Sequence, residues 1–204
     1  MTDYFSLLGE RRRPWLDPEV LKQKFLERSA GIHPDRVHAL GAMERAAAQE
    51  RYVELNAAFQ CLREPRDRLR HLLELELGAA PKGIQRVPPE LMDFSMEIGA
   101  ACRQADALLV ESATITSPLL KVQYFERSHE RIEGLQGLQR KAVQRRDALF
   151  ADLRSADTEW VTAQSSDVPE QARLLARLEE LLHALGYFDR WITQLQERIV
   201  RLSA

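Results

Sequence analysis

The sequence predicts an all-α protein, and three observations carry that expectation. It has nine glycines and nine prolines in 204 residues, with 29% charged and 7% aromatic residues, a composition that suits helices with solvated faces better than turn-rich sandwiches or barrels. Its apolar residues recur at steps of three and four over long stretches, the period of an amphipathic helix. Its prolines and glycines fall between those stretches, where they stop helices.

Residues 78–89, Gly-Ala-Ala-Pro-Lys-Gly-Ile-Gln-Arg-Val-Pro-Pro, gather turn-forming residues between two helical patterns and mark the domain boundary. Before it the spacing predicts helices over 18–31, stopped by Pro34, over 42–62, stopped by Pro65, and over 66–77, stopped by Gly78. After it the helices lengthen. The first runs over 89–111, with Leu91, Phe94, Ile98, Ala101, Ala105 and Leu108 as one apolar stripe. The second starts at Pro118 behind the capping hydroxyl of Ser117 and runs to about Leu153 through Val122, Phe125, Ile132 and Leu135. The third begins near Pro169 and carries Leu174, Leu178, Leu181, Leu185, Phe188, Ile192, Leu195, Ile199 and Leu202 in a heptad seam. Such a seam serves a three-helix bundle within the chain or a coiled coil between chains, and periodicity does not separate the two.

Charge and cysteine usage narrow the function classes. Twenty-nine Lys and Arg stand against 31 Asp and Glu, for a net charge of -2, so there is no global field for a polyanion, and neither nucleic acid nor an anionic membrane is an expected partner. No apolar run exceeds four residues, as at Ala107-Leu108-Leu109-Val110, far short of a membrane span. The N-terminus lacks the charged-then-apolar order of an export signal. Cys61 and Cys102 lie far apart and read as buried thiols of a reducing compartment, so the expected location is cytoplasmic. No phosphate loop, nucleophile elbow or pair of catalytic carboxylates can be found, and the chain is not expected to be an enzyme. His33, Asp35 and His38 have a ligand-like spacing, but Pro34 between them does not align the side chains and no cysteine or carboxylate cluster completes a metal site. Neither a metal nor another cofactor is expected. His129, on the apolar stripe between Phe125 and Ile132, reads as a boundary or core histidine.

The tripeptide His33-Pro34-Asp35 between two helices carries little alone. Around it lie Asp3-Tyr4-Phe5 with Leu8, then Leu21 and Phe25, and then Leu55-Asn56-Ala57-Ala58-Phe59 with Leu62, Pro65 and Arg68. This arrangement resembles a J-domain. Asp3-Tyr4-Phe5 at the start, Arg68 with Leu72-Leu73 closing the first domain, Pro88-Pro89-Glu90 followed by Met96-Glu97-Ile98, and Leu185-Gly186-Tyr187-Phe188 extend the resemblance to the HscB family of iron–sulfur co-chaperones.

The resemblance implies a J-domain helical hairpin over 1–78, a linker over 79–88, and a client-binding three-helix bundle over 89–204. It implies docking on a DnaK/HscA-class chaperone ATPase and stimulation of its hydrolysis, with His33, Pro34 and Asp35 as the contacts, Arg36 in place of the usual lysine, and Lys22 and Lys24 as a positive helix face. A loop stiffened by Pro34 presents a carboxylate and an imidazole with little ordering cost. The implied client is an iron–sulfur scaffold of the IscU type, held by apolar residues of the first bundle helix and an aromatic of the last. Met92 and Met96, four apart and off the core stripe, suit such a face. Glu97 follows them in the matching motif. Tyr187, off the heptad seam on its expected solvent side, corresponds to the aromatic, and Trp191 extends that side by a turn. Gly99 and Ala100 stand where the family carries Arg-Glu, and His71 where it often carries an aromatic. Two alternatives stay open: a J-domain adaptor for a different client, and a coiled-coil assembly protein without chaperone coupling.

Overall fold

The structure, a computed structural model, describes residues 2–32, 41–81, 87–112, 115–163 and 168–203. Among them are seven helices and no strand: α1 (Tyr4–Leu8), α2 (Pro18–Ser29), α3 (Ala42–Arg63), α4 (Pro65–Leu77), α5 (Pro89–Ser112), α6 (Pro118–Ala163) and α7 (Val168–Ser203). The fold is all-α, as the composition and periodicity predict.

Local chemistry accounts for the short helices. Periodicity did not reveal the five-residue α1, yet its signals are standard. Asp3 accepts hydrogen bonds from the Phe5 and Ser6 amides at 3.0 and 3.2 Å, and Gly9 closes the helix in the left-handed region at φ 65°, where a side chain would be strained. The guanidinium of Arg28 fills the space a Cβ at Gly9 would need. Asp17 caps α2, accepting from the Glu19 and Val20 amides, with Pro18 at its first position. At the start of α3, Glu44 accepts from the Gly41 amide at 3.2 Å. Helix α4 opens on Pro65 and ends at Gly78, φ 69°.

By compactness the chain divides into Met1–Lys82 with Phe150–Leu182, and Gly83–Leu149 with His183–Ala204. The first unit therefore includes the end of α6 and the start of α7. Its core contains Phe5, Leu8, Leu21, Leu55, Leu62, Leu69, Leu72 and Leu73 from α1 to α4, together with Leu153, Trp160, Leu174 and Leu178. The second unit buries Phe94, Ile98, Cys102, Ala105 and Leu108 of α5 against Leu135, Leu138 and Ala142 of α6 and Tyr187 to Leu202 of α7.

The heptad seam is used within the chain. Leu174, Leu178, Leu181, Leu185, Phe188, Leu195, Ile199 and Leu202 are all buried, while Ile192 is partly so. Two features of α6 differ from the sequence expectation. The helix continues ten residues past Leu153, because 154–163 contains neither glycine nor proline to stop it. Its buried stripe holds as expected at Ile132, partly buried, and Leu135, fully so, but not in the first turns, where Tyr124 is partly buried and Ser128 fully, whereas Val122 is 57% and Phe125 71% exposed. A polar side chain occupies the inward position and the apolar ones face out. His129 is likewise exposed, stacked on Phe125 with ring centroids 6.5 Å apart and with Nε2 3.5 Å from Glu133, not a core or boundary histidine.

Candidate functional site

Two candidate surfaces were expected. The first lies between α2 and α3. Phe25 and Phe59 stack there with ring centroids 4.4 Å apart and planes within 16°, joining α2 one turn before its end to the C-terminal part of α3. His33, Pro34, Asp35 and Arg36, and also His38, lie outside the described residues, which stop at Ile32 and resume at Gly41.

The positive helix face is only partly available. Lys22 is exposed on α2. Lys24 turns inward, its Nζ 2.8 Å from Glu10 Oε1 and donating to the Gly9 carbonyl at 3.1 Å, so its charge is matched by the loop after α1. Glu27 accepts from Gln23 at 2.9 Å. What α2 shows outward near its end is therefore mixed in sign.

Behind this surface the first unit is braced by buried polar groups. Arg68 of α4 is 2% exposed, and its Nε and Nη1 donate to the carbonyls of Pro14 and Leu62 at 2.8 and 2.7 Å. Burial pulls its pKa down to about 10, so it stays charged at neutral pH. Trp15 lies between two cations, with the Arg68 and Arg154 guanidinium carbons 5.4 and 4.3 Å from its ring centroid, a favourable use of the ring quadrupole. Buried Asp157 accepts from Arg13 Nε at 2.9 Å and from the Trp15 amide at 3.1 Å, with a second bond from Arg13 Nη2. Hydrogen bonding to Asp157 raises the Arg13 pKa. Trp160 Nε1 donates to the Arg12 carbonyl at 2.9 Å. Thus 12–15, Arg68 and the last turns of α6 are tied by directional contacts.

His71 stands where an aromatic was expected, and it behaves as one. Its ring stacks on Tyr4 and Phe5, at 4.6 and 5.8 Å, and its Nε2 accepts from the Tyr4 amide at 3.1 Å, which requires the neutral ring with its proton on Nδ1. Desolvation lowers its pKa. Neither cysteine is a thiolate at neutral pH: burial, followed by the charges of Asp67 and Glu74, pushes Cys61 up to about 11, and burial raises Cys102. Among the described residues no group of three His, Cys, Asp or Glu side chains could hold a metal ion.

The second surface was expected on α5 and α7. Met92 and Met96 are 43% and 65% exposed, an unpartnered apolar pair one turn apart. Glu97 is exposed beside them, its Oε1 3.6 Å from Lys141 Nζ. Tyr187 and Trp191 are not on a solvent side: they are 7% and 6% exposed and belong to the core. Trp191 packs edge-on against Phe94 and Phe188, at 5.7 and 5.3 Å, and stacks on Tyr187 at 5.5 Å. The physical reason is that α7 packs on both α5 and α6 and needs an apolar arc wider than a two-helix heptad seam. Only the α5 part of the expected client face is therefore open, with Gly99 and Ala100 half-buried beyond it.

No family model matches the chain. Among curated proteins it is similar to the co-chaperone protein HscB homolog of Azoarcus sp., 33% identical over 106 residues, 52% of this chain and 60% of that protein. It is also similar to the co-chaperone protein HscB homolog of Bordetella pertussis, 40% identical over 72 residues, 35% of this chain and 42% of that protein. The chain spans about half the length of these curated relatives. Among solved structures, chaperone HscB from Vibrio cholerae superposes with a TM-score of 0.63 at 18% identity, covering 96% of both chains. In sequence over part of its length, and in fold over nearly all of it, the chain's likeness is to the HscB-type co-chaperones.

Proposed function

We propose that this protein is a cytoplasmic J-domain co-chaperone of the HscB type. Residues 1–78 engage a DnaK/HscA-class chaperone through His33, Pro34, Asp35 and Arg36, with Lys22 on the adjoining helix face, and stimulate its ATP hydrolysis. Residues 89–204, joined through a linker over 79–88, bring an iron–sulfur scaffold of the IscU type. The protein performs no chemistry of its own in this reading. The observation that carries it is the coincidence of fold with an HscB chaperone across 96% of the chain, in a sequence whose α2–α3 connection contains His33-Pro34-Asp35. Because Lys24 turns inward toward Glu10, Lys22 and Arg36 are the cations assigned to the chaperone contact in this reading. On the client side Met92, Met96 and Glu97 are the accessible contacts, and Tyr187 and Trp191 support them from beneath through Phe94.

No described helix is long and apolar enough to cross a membrane. Calorimetric titration of the full chain with a purified IscU-type scaffold tests the client half. We expect micromolar binding, weakened at least about tenfold by Met92→Ser with Met96→Ser, in line with a central apolar anchor. Both side chains are exposed, so helicity and melting temperature stay unchanged. Absence of binding to the folded chain would reject the scaffold as client and favour an adaptor for another protein, a reading that Gly99 and Ala100 would then explain.

A further inference from the structure

Between α5 and α6 of the second unit runs a furrow whose chemistry the core does not explain. On α6, Arg131, Gly134, Leu138, Lys141 and Arg145 recur at steps of three, four, three and four, and so share one helix face. A hollow of about 260 Å³ opens there, lined by Glu97 and Ala101 of α5 and by Arg131, Gly134, Gly137 and Lys141 of α6. A second hollow of about 310 Å³ adjoins it at Arg131.

The cations along this face are poorly matched. Arg131 donates to a neutral partner, Gln104 Oε1, at 2.6 Å. Arg145 lies over the Phe94 ring at 4.3 Å. Lys141 has the loose 3.6 Å contact with Glu97, both side chains at least half exposed. Among the described residues, the loose contact of Lys141 with Glu97 is the ion pair made by these three cations, while Glu111 and Glu130 line the second hollow beside Arg131. Nearer the turn into α6 the balance is closed, since Arg127 is held by both oxygens of Glu111 at 2.6 and 2.8 Å, with Glu130 beside it.

The glycines add to the puzzle. Neither Gly134 nor Gly137 has positive φ. A Cβ at Gly134 would meet nothing within 4 Å, and one at Gly137 only the tip of Arg140 at 3.9 Å. Glycine inside a helix is destabilising relative to alanine, and here neither backbone geometry nor internal packing requires it. What the two glycines do provide is depth beneath an under-neutralised row of cations.

We propose that this furrow is a docking groove for an acidic peptide segment of a partner protein, whose carboxylates pair with Arg131 and Lys141 while its backbone lies over Gly134 and Gly137. Charge complementarity names the occupant: a cationic segment would face Arg131, Lys141 and Arg145, and an apolar one would desolvate them without return. Glu97 exchanges its loose contact for solvent as Lys141 takes the incoming carboxylate. The inference rests on the second unit being a docking unit, since Glu97 of the expected client face lines the same furrow, but not on which protein is delivered.

The test uses the full chain and a fluorescent peptide of about a dozen alternating glutamates and alanines, against its lysine counterpart, by anisotropy at low salt where surface charges are least screened. We expect the glutamate peptide to bind and the lysine peptide not to. Arg131→Glu with Lys141→Glu should weaken binding at least about tenfold. The charge-matched control, Arg45→Glu with Arg173→Glu at exposed positions of the other unit, should change it by less than about twofold. Gly134→Leu, which fills the hollow, should also weaken binding without lowering the melting temperature. Equal binding of both peptides, no binding of the glutamate peptide, or equal losses in the two charge-reversal pairs would overturn the groove. If Met92→Ser with Met96→Ser loses the scaffold but keeps the glutamate peptide, the groove stands apart from the client face. If the scaffold fails to bind while the peptide results hold, the choice of client is what fails.

Discussion

The two units of this molecule are held together by different physics. In the second, Phe94, Ile98, Leu135, Phe188, Trp191 and Leu195 make an apolar, aromatic core with its charges on the rim. In the first, an apolar core is completed by buried charge: Arg68 on two backbone carbonyls, and Asp157 on Arg13 and the Trp15 amide. An apolar core is defined by volume, whereas a buried ion pair is defined by partner and geometry. The first unit joins segments 144 residues apart in the chain, and directional bonds specify which turn of α6 meets 12–15 where apolar contact alone would tolerate slippage along the helix.

Substitutions can break that contrast. Phe188→Ala should destabilise by about 3–5 kcal/mol by leaving a cavity, and Asp157→Ala by about 2–3 kcal/mol, by leaving the Trp15 amide unpaired while the partly exposed Arg13 turns to solvent. Denaturant melts would detect both. Conservative changes separate the units: Asp157→Asn, with shape kept and charge lost, should still cost about 2 kcal/mol, whereas Phe188→Leu, apolar in kind, should cost less than about 1.5 kcal/mol. The reverse order would refute the division. Trp160→Phe, which removes the bond to the Arg12 carbonyl and one ring of a buried indole, should lose at least about 1 kcal/mol.

Smaller effects sharpen the comparison. Gly134→Ala should raise the stability of the second unit by up to about 1 kcal/mol, because nothing within 4 Å obstructs the methyl group and the helix gains propensity; a loss would reveal a packing role. In the first unit His71 should make stability depend on pH. Its folded pKa lies below the ordinary value of 6.5, so below 6.5 the unfolded state binds more protons than the native state. Stability is full above that pH and falls as the solution is acidified toward the folded pKa. Asp3 and Glu74 oppose the shift and Arg12 reinforces it, so the effect is modest. Urea midpoints at pH 7.5 and 5.5 should differ for the wild-type chain, and His71→Phe should reduce the difference.

What could be read in advance follows the same divide. The heptad from Leu174 to Leu202, the proline-led starts of α2, α5 and α6, and the stops at Pro65 and Gly78 were legible because they depend on local periodicity and backbone chemistry. Tyr187 and Trp191 were misassigned because a heptad describes contact with one neighbour, and α7 has two. Val122 and Phe125 misled because apolarity was taken to mark the inward face, while helix geometry put Ser128 there. The bonds of Asp157 to Arg13 and Trp15 left no trace, since pairing between distant segments has no spacing to detect. At the candidate site, the exposed Met92–Met96 pair was readable from its offset to the stripe, but the contact of Lys24 with Glu10 was not.

The central claim is chaperone coupling, and the most direct test is ATP hydrolysis by a purified DnaK/HscA-class chaperone with and without the full chain. The account predicts several-fold stimulation that saturates with co-chaperone and disappears in His33→Gln, whose helicity and melting temperature stay within about 2 °C of wild type. No stimulation by the folded wild-type chain, or equal stimulation by His33→Gln, would contradict it.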